Sequence, residues 1–234
     1  MRLDGVSFHF DPGPGALVAC AKHNINPGTD AIIVSHAHMD HYLDVPAIIE
    51  ASTEGMNEGR GVKPALFCSA SYLVQGLLDS YHATGLSEKK ALHQGESASF
   101  KGILLEAFGT KHTDPDGIAL RLTTRTGLRV SYISDTEVFP GLFDMECDVL
   151  IVSLLKPGME TLRGHACTSE AAALIKRLGP PKISLLTHFG LGMLKAGPEA
   201  EARMIQNETG CTVRAVRDGM LVNIDEELSQ KRLN

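Results

Sequence analysis

Within six positions this chain places three imidazoles and a carboxylate: His36-Ala37-His38-Met39-Asp40-His41. The apolar run Ala31-Ile32-Ile33-Val34 stands just before them, so a strand would end by aiming several donor atoms at one small volume. Neutral imidazole and carboxylate are the usual protein ligands for Zn²⁺ and related borderline ions. A polar loop that is His-rich by accident is the rival explanation. With 10 His in 234 residues, it is the weaker one.

Three more donors share that placement. His112, Asp135 and His188 each lie just beyond an apolar run. Any one of them alone would more often be structural or surface than catalytic. Together they sit where open α/β folds gather ligands, at the carboxyl ends of strands. Seven donors are too many for one tetrahedral zinc but suit two adjacent ions that share a bridging carboxylate.

The elements that must position these residues can be read from period and punctuation. Val6 to Phe10 alternates as a strand does and stops at Asp11-Pro12-Gly13-Pro14-Gly15, a dense turn signal that can bring backbone close to a ligand. Ala16 to His23 reads as a short helix, and 31–34 as a buried strand. Leu43, Val45, Ile48 and Ile49 recur at helical spacing. The Gly-rich stretch Glu54 to Gly61 reads as a surface loop that could also act as a lid over the centre. Ala65 to Cys68 reads as a strand, with Ser69 as N-cap for a helix from Ala70 to about Leu78. Phe100 to Phe108, Ile118 to Thr124 and Leu128 to Ser134 read as consecutive strands, the last two joined at Thr126-Gly127. A strand at Asp148 to Ser153 is followed by a helix capped by Thr168 or Ser169. A strand at Lys182 to Thr187, a helix near Pro198 to Glu208, and strands near Val213 and Met220-Leu221-Val222 complete the pattern, with a frayed charged tail from Asp225.

Composition narrows the function classes. Hydrophobic content of 43% and charged content of 21% are ordinary for a soluble globular protein, and 234 residues fit one α/β domain spanning 1–234. A net charge of −6 argues against a broad basic nucleic-acid-binding surface. The N-terminal residues lack the basic and long apolar regions of a secretory signal, and no run approaches a membrane span. Five scattered cysteines without a Cys-x-x-Cys fit buried thiols in a reducing compartment, so the expected location is the cytoplasm.

The order His36-x-His38-x-Asp40-His41, His112, Asp135, His188 resembles the metallo-β-lactamase superfamily of metal-dependent hydrolases, over essentially the whole chain. The resemblance implies a four-layer αββα sandwich: two mixed sheets face to face, helices outside, metals at one edge. It implies two divalent ions, Zn²⁺ first with Mn²⁺ or Fe²⁺ as alternatives. One ion would take His36, His38 and His112, the other Asp40, His41 and His188, with Asp135 bridging. A bridging hydroxide would be the nucleophile, and Asp40 would both ligate and orient it. Asp135 stands where many true β-lactamases carry Cys, which disfavours antibiotic hydrolysis. His38 stands where flavodiiron reductases carry Glu, which disfavours iron redox chemistry.

Gly164-His165-Ala166 before a Thr-Ser-Glu helix start, and Leu186-Thr187-His188-Phe189-Gly190, resemble ribonuclease Z and its smaller phosphodiesterase relatives. In those enzymes the extra histidine contacts phosphate or protonates the leaving oxygen, which makes His165 the second catalytic candidate beside Asp40. Ribonuclease Z inserts a tRNA-gripping arm between the third-motif His and the bridging Asp. Here His112 and Asp135 are only 23 positions apart, and two strands use up that interval. The sequence therefore points to a phosphodiesterase acting on a small-molecule or short phosphodiester substrate. The alternatives are an acyl, thioester or lactone hydrolase of the same fold, a tRNA 3′-processing endonuclease, and an adaptor that has lost catalysis. A homo-oligomer stays open, since the sequence fixes no oligomeric state.

Overall fold

Apolar residues recur every second position in most of the predicted strands, and they close on one another from two directions. A computed structural model describes residues 1–230. One sheet has five strands: β1 (Arg2–Leu3), β2 (Val6–Phe10), β3 (Ala31–Val34), β4 (Ala65–Ser69) and β5 (Glu88–Leu92), side by side in that order. β1 is antiparallel to β2, and β2 to β5 run parallel.

The second sheet holds β6 (Ser97–Phe100), β7 (Ile103–Gly109), β8 (Ile118–Thr123), β9 (Arg129–Ile133), β10 (Val149–Ser153), β11 (Ile183–Thr187) and β12 (Thr212–Ala215) in sequential order. β6 to β9 form an antiparallel meander, and β9 to β12 are parallel. β7, β9, β10 and β11 thus point the same way and end at one edge of the sheet.

The helices are α1 (Ala16–Lys22), α2 (Met39–Tyr42), α3 (Val45–Ser52), α4 (Ala70–Val74), α5 (Ser80–Ala83), α6 (Thr168–Arg177), α7 (Leu191–Ala196), α8 (Pro198–Thr209) and α9 (Ile224–Gln230). Strand alternation distributes the core into layers. Ile33 and Phe67 face the second sheet and meet Leu105, Leu120 and Val149 between the sheets. Ile32, Val34 and Leu66 face outward onto Ile48 and Ile49 of α3 and Tyr72 of α4. On the far side, Leu150, Val152 and Leu186 pack against Ile175 of α6 and Ile205 of α8. The four-layer αββα sandwich is therefore present as expected, with β3 buried on both faces. No helix among the described residues is long and apolar enough to cross a membrane.

Several local expectations are corrected. The single strand expected over 100–108 is a hairpin, because Lys101 (φ 48°) and Gly102 (φ 82°) turn the chain between β6 and β7. The helix expected to reach Leu78 stops at Val74. Met220-Leu221-Val222 forms no strand, and the tail from Asp225 is helical to Gln230, its last four residues lying outside the described residues. The α6 N-cap is Cys167 rather than Thr168 or Ser169: Glu170 turns back to accept from the Cys167 N–H, while the Thr168 hydroxyl is drawn off to Glu201.

The loop 54–64 is no lid. Val62 N–H bonds Ser52 O and Ala65 pairs with Ala31, so the loop enters β4 at the end of the sheet opposite residues 35–41. It lines instead a cavity of about 350 Å³ with Tyr81, Thr84 and Gly85, remote from the His motif.

Candidate metal centre

All seven predicted donors come together at one edge, where the carboxyl ends of strands from both sheets meet. His36 and His38 leave β3 through Ser35. His38 takes the N-cap position of the short helix α2 without capping it, so its ring turns inward. His112 follows β7, Asp135 follows β9 through Ser134, and His188 directly follows β11.

The donors fall into two groups. In the first, His38 Nδ1 and His112 Nε2 face each other at 3.0 Å, and the His36 ring centre lies 4.7 and 4.9 Å from theirs. In the second, His41 Nε2 and His188 Nε2 face each other at 3.0 Å, and each is 3.6 Å from Asp40 Oδ2. Asp135 stands between the groups, 3.4 Å from His41 Nε2 and 3.5 Å from His188 Nδ1. The His36 and His41 rings, 4.1 Å apart, join the two groups.

The tautomers are set by acceptors outside the cluster. His112 Nδ1 donates to Gly164 O at 2.8 Å, and His41 Nδ1 donates to Asp11 Oδ2 at 3.0 Å. Ser35 Oγ donates to Asp11 at 2.6 Å, which leaves it to accept from His36 Nδ1 at 3.0 Å. Each ring thereby turns Nε2 into the cluster, the arrangement in which metal-binding histidines are oriented by a carboxylate or carbonyl behind them.

Asp11 is the hub of this support. It also accepts from Ser35 N at 2.7 Å, the Tyr132 hydroxyl at 2.7 Å and the Ser134 hydroxyl at 3.0 Å. Burial opposes its charge, but the hydrogen bond and charge of His41, then the Ser35 hydroxyl and His36, outweigh burial and hold its pKa below the usual carboxylate range.

The donor set passes a direct test of fit to divalent ions. Among the described residues eight buried side-chain polar atoms lack a hydrogen-bond partner, and four are His36 Nε2, Asp135 Oδ1, His165 Nδ1 and His188 Nδ1. Buried polar atoms are normally paired, so four orphans converging on one volume call for a shared partner. Their charge balance fits as well. Burial, then His41, pushes His36 down to about 4, so it is a neutral donor at pH 7. Burial opposes charge on His41, but hydrogen bonds to Asp11 and Asp135 prevail and hold it up at about 10. The side chains alone thus fill the His41–His188 gap with a proton, which a divalent ion would displace. Burial also opposes charge on Asp135, and His41, His188 and His165 hold it ionised well below the usual range.

His165 is here too, with Nδ1 3.5 Å from Asp135 Oδ2 and its ring 4.8 Å from that of His112. Four sets of three donors lie within 4.8 Å of one another: His36/His38/His112, Asp40/His41/His188, Asp11/His36/His41 and His112/Asp135/His165. Asp11 is saturated by its own donors, so the third set marks support rather than ligation. Of the remaining histidines none joins the cluster. His9 lies within β2 and is pushed down to about 4 by burial, His23 packs on Gly219, and His82 pairs with Asp79 and Glu50 on the surface.

Backbone conformation serves the same convergence. His188 and Asp11 both adopt left-handed backbone, φ 59° and 43°, uncommon for side-chain-bearing residues. Gly13 has no room for a Cβ, which would lie 1.8 Å from Asp40 O. The Asp11-Pro12-Gly13 turn, read from sequence as a place of close backbone approach, is pressed against the His motif. Gly164 is equally confined, with His112 Nδ1 2.6 Å from where its Cβ would be.

Sequence reasoning placed Asp11 only within a lining turn and missed Ser35, Tyr132 and Ser134. Asp11 carried a usable signal, since it follows a strand as the ligands do. The others look like ordinary strand and turn residues.

Comparison with known proteins agrees with this geometry. A model of the beta-lactamase superfamily domain matches residues 7–189. An uncharacterized protein of Methanocaldococcus jannaschii, MJ1374, is 36% identical over 96% of this chain and 85% of its own length. Among solved structures, the short form of human tRNase Z superposes with a TM-score of 0.70 at 17% identity, covering 96% of this chain and 90% of that one. A diphosphatase of the PhnP family gives 0.69 at 16% identity, covering 94% and 80%. At such identities these two likenesses speak for the fold alone.

Proposed function

The chain belongs to the beta-lactamase superfamily, with the metallo-β-lactamase fold of metal-dependent hydrolases, and from that premise we propose that it is a two-metal phosphodiesterase for small or short substrates. The observation that carries this reading is the pair of facing donor triads with Asp135 between them and His165 beside Asp135. His36, His38 and His112 would hold one ion, and Asp40, His41 and His188 the other. When bound, such ions lower the pKa of water and polarise the bond to be broken.

The chain's own residues supply the rest. Asp40 is 54% exposed, so its carboxylate faces the side from which substrate arrives and can hold a proton as attack proceeds. His165 is half-buried, with an unpartnered Nδ1 beside Asp135, and its other nitrogen would serve the leaving oxygen. Burial lowers its pKa, Asp135 acts against that, and an anionic phosphate beside it would raise it further. Arg163, exposed two residues away, is available to a phosphate, whereas Lys156 is paired with Glu160.

Small substrates fit because the interval from His112 to Asp135 holds only a short loop and the β8–β9 hairpin, with no arm for a folded RNA. The PhnP-family diphosphatase and tRNase Z of the same fold cut bonds at phosphorus by the sense of their names, which agrees with the proposal. A second reading, acyl or lactone hydrolysis, draws on Met39, Met159 and Leu191. These exposed apolar side chains, each in a segment carrying a site residue, would suit an apolar substrate arm. Assays with an aryl phosphodiester, an aryl ester and a lactone separate the two. Turnover of the phosphodiester is expected; turnover of acyl substrates alone would overturn the proposal in favour of the second reading.

A further inference from the structure

Asp114 lies two residues past His112 and is 5% exposed. A buried carboxylate in a turn needs a reason, because desolvating its charge is costly unless donors surround it. Asp114 has three. Its Oδ2 accepts from Ala37 N at 2.7 Å and from Ser71 Oγ at 2.6 Å, and its Oδ1 accepts from Asp116 N at 3.0 Å. Ala37 is the residue between His36 and His38. Ser71 lies in the first turn of α4, just past the end of β4, where its hydroxyl also meets Ser69 Oγ at 3.0 Å. Asp116 belongs to the loop that carries His112, and Gly117 N–H closes that loop on Asp114 O at 3.3 Å.

One side chain therefore ties together the His36–His38 loop of the five-stranded sheet, the His112 loop of the seven-stranded sheet and the β4–α4 junction. The first two segments hold all three histidines of one triad. The other triad has separate supports: Asp11 behind His41, and the end of β11 behind His188.

We propose that Asp114, braced by Ser71, is the positioning residue that sets His36, His38 and His112 for their ion, and that it acts on this triad and not on Asp40/His41/His188. The inference rests on the two-ion reading above. Partners behind metal ligands commonly govern affinity by about 10- to 100-fold, and a tie made to the peptide between two ligands is such a partner.

The test is a Zn²⁺ titration of metal-free protein against a competing chelator, with thermal melting as the check on folding. Wild type is expected to bind two ions. In Asp114→Ala one affinity should fall by about 10- to 100-fold while the other stays within about threefold. His188→Ala, which spares the first triad, assigns the ions: adding Asp114→Ala to it should weaken the ion that remains. Should Asp114→Ala fail to fold, Ser71→Ala decides, since it removes one donor and should weaken the same ion by about threefold or more. Asp114→Asn, which keeps an acceptor for Ala37 N–H, should recover part of the loss. Equal weakening of both ions, or of neither, in the folded variants overturns this inference and leaves the metal centre standing. Wild type that binds no ion overturns the metal centre and the inference together.

Discussion

The two triads of this centre are built by opposite means. His36, His38 and His112 are all imidazoles on loops, and each loop is braced from behind by Ser35, Asp114 and the Gly164 carbonyl. Asp40, His41 and His188 mix a carboxylate with imidazoles and lean on one buried acid, Asp11, and on the left-handed backbone of His188. Exposure separates them at one residue: each triad has one buried histidine, His36 and His41, both 2% exposed, and one member, Asp40, is open to solvent, its side chain 54% exposed. The first triad has one buried ring and two half-buried ones. The second opens to solvent at Asp40, and there a substrate would meet the centre. The lesson is that one hexapeptide can serve a rigid role and a reactive one, depending on which segments stand behind it.

The largest effect should come from the residue the triads share. Asp135→Ala removes the carboxylate between them, and turnover of an aryl phosphodiester should fall by about 10³-fold or more with both ion affinities weakened. Loss confined to one ion would break the symmetry assigned to Asp135. Next is His165→Ala, expected to lower phosphodiester turnover by about 10²-fold while both ions remain, measured by metal analysis of the same sample. Loss of an ion would make His165 a ligand, as its place in the His112/Asp135 set allows.

Asp11→Asn sharpens the contrast from the open side. It removes the charge behind His41, so the affinity of the second triad's ion should drop by about 10- to 100-fold with the first little changed. Equal weakening of both would mean that Asp11 acts through Ser35 and His36 as strongly as through His41.

A control lies at the opposite end of β3. Asp30 bonds Lys101 and accepts from Ser7 N and Oγ, which overcome burial and bring its pKa down to about 2. Because the folded value lies below the unfolded value of about 4, its contribution is present above pH 4 and is lost as pH falls through 2. Asp30→Asn should cost about 1 kcal/mol at pH 7 once solvent screening of the exposed Lys101 is counted. That difference should shrink between pH 4 and pH 2 in denaturant unfolding, and both ion affinities should be untouched.

How much of this was legible in sequence depends on the distance over which each signal acts. The first motif is local, so its residue types and spacing sufficed to mark His36, His38, Asp40 and His41. His112, Asp135 and His188 were legible through a rule of position, since each ends a recognisable strand. The support was not. Asp114 sits in Thr113-Asp114-Pro115-Asp116-Gly117, a stretch with every mark of an ordinary turn, and only the folded chain brings Ala37 and Ser71 to it. The hairpin at Lys101-Gly102 was hidden because the apolar run on either side reads as one strand. The surface-loop reading of 54–61 holds, and the lid alternative falls because nearness in sequence to the motif says nothing about which end of a parallel strand a crossover reaches.

Hydrolysis as proposed needs two ions, unequally held. The most direct measurement titrates metal-free protein with Zn²⁺ while recording bound ion and turnover of an aryl phosphodiester together. Two ions per chain are expected, a tighter one that binds without turnover and a weaker one whose binding brings turnover on. Full turnover at one ion per chain, or two ions bound with no hydrolysis of any phosphodiester, would contradict it.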